Sequence, residues 1–325
     1  MKLPRRQFLH LAAGAAALSG VSRIARAQAY PSRPVHIIVG FPPGGAADIV
    51  ARVISQWMSE RVGQPFVVEN RPGAGTNVAT EAVIRAVPDG YTLLFTSVSN
   101  AINTTLYEKL NFDFLRDITP VASVDRLTYV MVVNPSVPAK TVSELIAYAK
   151  SHAGKLNMAV SALGSGTHLS GELFKAMTGV SLVNVPYTGS PLAFADLFAG
   201  QIQVMFDVLA TSLEHIKAEK LRALAVTTEK RSELLPDVPT IAETVPGYEA
   251  SGWLGIGAPR NTPAEIVDKL NKEISAALTD PKIEARLVEL GGAPLLLSAA
   301  DFGRLMAEET DKWRKVIRAA NIRPT

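Results

Sequence analysis

From residue 35 onward, short apolar runs alternate with stripes of helical period, separated by glycine- and proline-rich turns. Val35–Val39 is dominated by apolar residues, as a buried parallel strand is. It enters Gly40-Phe41-Pro42-Pro43-Gly44-Gly45, after which Ile49, Val50, Val53, Trp57 and Met58 share one face of a helix. Residues 66–69 predict the next strand, Arg71-Pro72-Gly73-Ala74-Gly75 a loop, and Thr76 or Asn77 the cap of a second helix. Pro88-Asp89-Gly90 turns the chain into a strand at 91–96. This β-α-β-α-β order predicts an open, mainly parallel sheet.

Tyr129–Val133 opens a second series of the same kind. Thr141-Val142-Ser143-Glu144 reads as a capping box for a helix ending near Gly154. A strand at 156–161 leads through Ala162-Leu163-Gly164-Ser165-Gly166 into a helix from about Thr167 to Met177, stopped by Gly179. Strands follow at 181–186, 202–206 and 221–227, with Ser190-Pro191 as N-cap and first helical proline between the first two. From Ser251 the chain returns to the first series. A strand at 253–258 precedes helices that start at Thr262-Pro263-Ala264-Glu265, Asp280-Pro281 and Ser298-Ala299-Ala300-Asp301. The last runs to about Ala319, with Phe302, Leu305, Met306, Trp313 and Ile317 as its buried stripe. Crossings near 125 and 250 predict a hinged two-lobe α/β protein, with residues 30–127 and 250–325 in one lobe and 128–249 in the other.

The first 29 residues stand apart from this alternation. Lys2, Arg5 and Arg6 precede an Ala/Gly/Leu run from Phe8 to Val21, and small residues follow at Ala25-Arg26-Ala27 or Ala27-Gln28-Ala29. That order is a signal peptide, cleaved after Ala27 or Ala29. Arg5-Arg6-Gln7-Phe8-Leu9 reads as its twin-arginine form, so the expected destination is the periplasm. The leader also changes the charge balance. The chain has 33 Lys and Arg against 30 Asp and Glu, but Lys2, Arg5, Arg6, Arg23 and Arg26 leave with the leader, which makes the remainder 28 against 30. The basic pI of about 9.0 therefore belongs to the precursor and is no footprint of nucleic-acid binding. Cysteine is absent, which excludes disulfides, thiolate catalysis, Cys-ligated zinc and iron–sulfur clusters. His36, His152, His168 and His215 show no metal spacing, and no cofactor is expected.

Chemistry concentrates in two turns, Gly40 to Asp48 and Ser161 to His168, each carrying the chain from a strand into a helix. Ligands of open parallel sheets sit outside the carboxyl ends of the strands, where these turns lie. A helix start offers unpaired N–H groups and a partial positive charge, so each turn is a candidate anion cradle, or else a tight β–α connection. One helix dipole is worth about 0.3–2 kcal/mol, whereas micromolar affinity needs about 8 kcal/mol. Neither turn contains Lys or Arg, so backbone N–H groups and the hydroxyls of Ser161, Ser165 and Thr167 must supply several charge-assisted bonds of about 1.5–3 kcal/mol each. Gly164-Ser165-Gly166 fits neither the dinucleotide nor the P-loop pattern, and there is no Gly-x-Ser-x-Gly elbow. Asp207 ends a strand, where it either faces the cleft or caps the next helix. Arg71 either braces its loop or clamps an anion.

With these blocks assembled, the chain resembles the Bug receptors, solute-binding proteins of the tripartite tricarboxylate transporter type. The likeness lies in Tyr30-Pro31-Ser32-Arg33-Pro34-Val35, Gly40 to Asp48, Val68-Glu69-Asn70-Arg71-Pro72-Gly73-Ala74-Gly75, Pro88-Asp89-Gly90-Tyr91-Thr92-Leu93-Leu94, Gly164 to Leu169 and Pro186-Tyr187-Thr188-Gly189. The resemblance implies a two-lobe periplasmic-binding-protein fold, each lobe a mainly parallel sheet flanked by helices, closing on a small carboxylate in the cleft between them. It implies that Phe41, Pro42, Pro43, Gly44, Gly45 and Asp48 form one jaw, and Ser161, Gly164, Ser165, Gly166, Thr167 and His168 the other. Thr96, Ser97 and Asn100 would line the cleft with Tyr187, Thr188 and Gly189, and Asp207 would lie toward the far end of the ligand. The expected partners are transporter subunits of the tripartite tricarboxylate type or a sensory partner, with the receptor a monomer that binds no nucleic acid. The competing reading is an exported hydrolase or transferase using Ser165 and His168.

Overall fold

The computed structural model describes residues 30–323; the expected leader at 1–29 lies outside them. β1 (Val35–Val39), β2 (Phe66–Asn70) and β3 (Thr92–Ser97) pair in parallel, β1 in the middle, with α1 (Ala46–Val62) and α2 (Asn77–Ile84) as crossovers. α3 (Val98–Leu106) and the short α4 (Phe114–Asp117) lead into β4 (Ile118–Leu127), and the chain then enters a second sheet with β5 (Tyr129–Val133). α5 (Val142–Ser151), β6 (Leu156–Val160), α6 (Gly166–Thr178), β7 (Leu182–Pro186), α7 (Ser190–Phe198), β8 (Val204–Val208), α8 (Leu209–Lys217) and β9 (Arg222–Val226) complete that lobe. The chain returns to the first sheet with β10 (Gly252–Pro259), α9 (Ala264–Leu278), α10 (Pro281–Glu289), β11 (Gly292–Pro294) and α11 (Ala299–Ala319).

The two sheets are built alike. The first runs β11-β4-β10-β3-β1-β2 and the second β9-β5-β8-β6-β7, so β2-β1-β3-β10-β4 matches β7-β6-β8-β5-β9 position by position. In each, the fourth strand is the one on which the chain has just arrived from the other lobe. Such a strand enters at the carboxyl ends of the parallel strands and runs against them, so β10 is antiparallel to β3 and β4, and β5 to β8 and β9. The sheets are mainly parallel as expected, four strands of each running one way, with β10 and β11 in the first and β5 in the second set against them.

Several predicted caps form as read. Ser298 accepts from the Asp301 N–H, Asp280 precedes Pro281 and accepts from the Lys282 N–H, and Gly179 ends α6 at φ +69°. Two differ. Glu144 reaches the Lys140 N–H instead of closing a box on Thr141. Ser190 is already inside α7 behind Gly189, because its hydroxyl is spent on Asp207.

One apolar core runs from lobe to lobe, joining Leu94, Trp253, Phe302 and Trp313 to Phe174, Phe206 and Tyr248. α11 packs on β4, α3 and, across the lobes, α6. The two crossings are tied together by polar bonds: Arg126 donates to the Ser251 hydroxyl at 2.8 Å, and Lys312 of α11 pairs with Glu249 at 2.7 Å. Among the described residues no helix is long and apolar enough to cross a membrane.

Candidate functional site

A cavity of about 360 Å3 opens between the lobes at the carboxyl ends of β1 and β6. The first lobe contributes Phe41, Pro42, Gly45, Ala46 and Ala47, with Ser97, Val98 and Ser99 behind them. The second contributes Ser161, Ser165, Gly166, Thr167, Ser190, Asp207 and Val208. The crossing strands floor it with Leu127, Tyr129, Trp253 and Leu254.

The jaws repeat one device. Gly44 at φ +83° and Gly164 at φ +73° make the reversal that other residues adopt only with strain. Each is locked by the side chain four residues on: the Gly44 N–H donates to Asp48 Oδ2 at 2.8 Å, and the Gly164 N–H to His168 Nδ1 at 3.0 Å. Gly45 and Ser165 then sit extended as N-caps, at φ −77°, ψ 165° and φ −73°, ψ 163°. The next N–H groups, of Ala46 and Ala47 in one jaw and Gly166 and Thr167 in the other, have no intrahelical acceptor and belong to cavity-lining residues. Thr167 also gathers the hydroxyls of Ser165 at 2.9 Å and Ser161 at 3.3 Å. The site thus offers donors from both lobes and no Lys or Arg.

The two locks differ in chemistry, a carboxylate in one jaw and an imidazole in the other. Asp48 is held by Arg52 at 2.9 Å and by Asn70 at 2.8 Å. Burial works against its charge, but bonds from Arg52, Gly44 and Asn70 outweigh it and keep the carboxyl below its ordinary value. In the other jaw His168 is followed by Glu172 at 3.5 Å, and Asn184 donates to Glu172 at 2.6 Å. His168 Nδ1 accepts a hydrogen bond and so carries no proton, which leaves the proton on Nε2, facing Glu172. Burial opposes the Glu172 charge too, yet His168, Lys175 and Asn184 hold its pKa down to about 2.

A carboxylate depressed in this way stabilises the fold fully above its unfolded value of 4.5, and the contribution is lost as pH falls toward 2. Glu172→Gln should therefore melt below wild type at pH 6, with the gap closing in acid. Melting curves from pH 6 to pH 2 test this; a gap undiminished at pH 2 would contradict it.

The remaining predicted site residues are buried supports or flank the cavity. Asn100 accepts from the Ser97 N–H at 2.8 Å and donates to Thr76 and Thr80, and Thr96 is buried in β3. Pro43 and Gly44 lie on the outer turn of the first loop, and Gly164 on that of the second. Tyr187 donates to Asp196 at 2.6 Å, and the Gly189 N–H braces Ser161 O at 2.8 Å, with Thr188 between them. Arg71 pairs with Glu69 at 2.8 Å and braces its own loop. Ser165 accepts from the His168 backbone N–H while the ring nitrogen is taken by Gly164, so the pair lacks the nucleophile–base bond a hydrolase needs.

Tyr129, Trp253 and Leu254 were not anticipated from the sequence. The signal was the position of the crossings, since a cleft between lobes is floored by the strands that join them. Tyr129 fits because Gly166 and Gly252 face its hydroxyl: a Cβ on either would come within 2.5 Å of that oxygen. Among the described residues no group of three His, Asp or Glu is placed to hold a metal ion.

Residues 50–322 match the tripartite tricarboxylate transporter family receptor. Protein BugT of Bordetella pertussis is 36% identical over 305 residues, covering 93% of this chain and 94% of BugT. Among solved structures, R. palustris Rpa4515 with adipate is 40% identical, with a TM-score of 0.80 over 91% of this chain and 100% of that one. MatC (Rpa3494) from Rhodopseudomonas palustris with bound malate is 33% identical, with a TM-score of 0.74 over 89% and 100%. The two solved structures, one with adipate and one with bound malate, share this chain's fold, and this chain is a solute-binding receptor and not an enzyme. Family match, whole-length relatives and shared architecture agree that the chain belongs to the tripartite tricarboxylate transporter receptor family.

Proposed function

We propose that the protein captures a small organic carboxylate in the periplasm by closing residues 30–127 and 250–325 against 128–249, and delivers it to a transporter of the tripartite tricarboxylate type. The observation that carries this reading is the pair of facing helix starts, whose free N–H groups and hydroxyls meet across one cavity without a cation. Donors on opposite lobes are satisfied together only when the lobes are shut. A ligand touching both therefore stabilises the closed form alone, which links capture to closure. The relatives solved with adipate and malate, both small carboxylates, support the chemistry. The anion lies between Phe41–Pro42, Gly45 and Ser97 on one side and Ser161 with Ser165–Thr167 on the other. Pro43, Gly44, Asp48, Thr96 and Asn100 support the first jaw, and Gly164, His168 and Tyr187 to Gly189 the second. The loaded receptor works as a monomer, reaches the periplasm by the twin-arginine route and docks on the transporter's membrane subunits. Presentation to a sensory partner would use the same closed form.

The test is a thermal-shift screen on protein stripped of carried-over ligand, using acids beside their matched amides. A ligand at 100 times its dissociation constant adds about 2.7 kcal/mol, an easily read shift. Acids should stabilise and amides should not. Stabilisation by neutral or phosphorylated compounds alone would reject carboxylate capture.

A further inference from the structure

Most side-chain hydroxyls around the cavity are already engaged. Ser161, Ser165 and Thr167 bond one another, Ser97 turns to Asn100, and Ser190 donates to Asp207. Asp207 is itself filled by Ser190, Thr211, Ser212 and the Val208 N–H, which leaves it no acceptor for a ligand. Tyr129 is different. It lines the cavity floor and is only 4% exposed, yet among the described residues nothing donates to its hydroxyl or accepts from it. Buried tyrosine hydroxyls nearly always have a partner, so an unspent one on the floor of a binding cavity is matched to a ligand atom.

The place of that hydroxyl is set from both lobes. Tyr129 begins β5, directly after the first crossing, and its hydroxyl lies against Gly166 of the second jaw and Gly252 of the returning strand β10. A Cβ on either glycine would come within 2.5 Å of the oxygen, so the two lobes leave the same space open for it. Gly166 is also the first residue of its helix, with an N–H that has no intrahelical acceptor, and it lines the cavity. The phenol and that N–H therefore serve the same part of the site. Burial, with the charges of Glu309 and Glu249, pushes the phenol well above its ordinary pKa. At neutral pH it is an uncharged donor.

We propose that Tyr129 is a ligand-binding residue, its hydroxyl donating to the carboxylate that the jaws hold. The inference rests on the carboxylate reading above and adds a third source of donors to it, the strand that joins the lobes. The phenol supplies part of what a Lys or Arg would give, without the desolvation cost of a buried cation.

Tyr129→Phe deletes one O–H and keeps the ring. Isothermal titration of the stripped protein with adipate, malate, hexanoate and benzoate tests the role. The acids that bind wild type should lose about ten- to a hundredfold in affinity, the worth of one charge-assisted bond. The melting temperature of the empty variant should stay near that of wild type. Saturation should shift the near-UV absorption of a buried tyrosine in wild type and not in Tyr129→Phe. Gly252→Ala places a methyl group where the hydroxyl sits, so it should weaken binding too, and the double variant should bind no worse than the weaker single one. A loss of less than about threefold in Tyr129→Phe would overturn the inference and leave carboxylate capture standing. So would a larger loss that comes with an earlier melt of the empty protein and no spectral change on loading wild type. If none of the four acids binds wild type, both readings fall.

Discussion

Ala46→Pro should weaken carboxylate binding by about ten- to a hundredfold and leave the melting temperature near that of wild type. The substitution deletes one backbone N–H and little else. Ala46 is the first residue of α1, where proline is well tolerated and the missing N–H costs no helical bond. Gly45 before it is at φ −77°, ψ 165°, the region that a following proline demands. A charge-assisted hydrogen bond is worth about 1.5–3 kcal/mol, which sets the size of the loss. Ala46→Val adds similar bulk but keeps the donor, so it should bind better than the proline variant. Titration of both variants with one stabilising acid decides the point. Wild-type affinity in Ala46→Pro would mean that the anion is held by hydroxyls or the second jaw alone.

The largest expected loss of stability is at Trp313. Its ring is fully buried in the core shared by both lobes, its indole N–H donates to Glu309 at 2.8 Å, and the Lys312 ammonium lies 4.7 Å from its centre. Trp313→Ala removes the ring's packing and leaves a cavity, which costs about 3–5 kcal/mol. Glu309 compounds the loss. It is itself buried, and it shares Lys312 with Glu249 at the second crossing. Denaturant melts should show an earlier midpoint with an unchanged slope. Trp313→Phe should recover most of the packing but not the bond to Glu309. A loss below about 1 kcal/mol would mean that α11 is not part of the cooperative unit.

Elements with a strong local signature were legible in the sequence, and so was the doubling of the architecture. β1, β5 and α11 carry clear periodicity, and Gly44 and Gly164 mark both jaws by a conformation few other residues adopt. β4 was not found. Its ten residues include Pro120, Ser123, Asp125 and Arg126, which read as a loop although the strand is largely buried. Asp125 lies wholly inside, where burial pushes its pKa up to about 7, and no local pattern announces a buried charge. At the site, the resemblance implied His168 and Asp48 as members of the ligand-holding jaws. Both types serve equally well as locks, and only tertiary geometry shows that their polar atoms are already engaged by Gly44 and Gly164. The floor residues Tyr129 and Trp253 are aromatic and apolar, so by composition they are indistinguishable from core.

The insertion of β10 between β3 and β4 also fixes an order of assembly. β3 can pair with β1 early, but its other edge, and β4 on both edges, stay open until the chain has passed through the whole second sheet and come back. Pairings this distant in sequence form late. Lobe two, whose strands are continuous in the chain, meets no such delay. The strand that arrives last brings Trp253 and Leu254, the floor of the cavity. A nascent or truncated chain ending before Gly252 can therefore present both jaw loops and still have no pocket, so ligand capture certifies that synthesis has run past the return crossing.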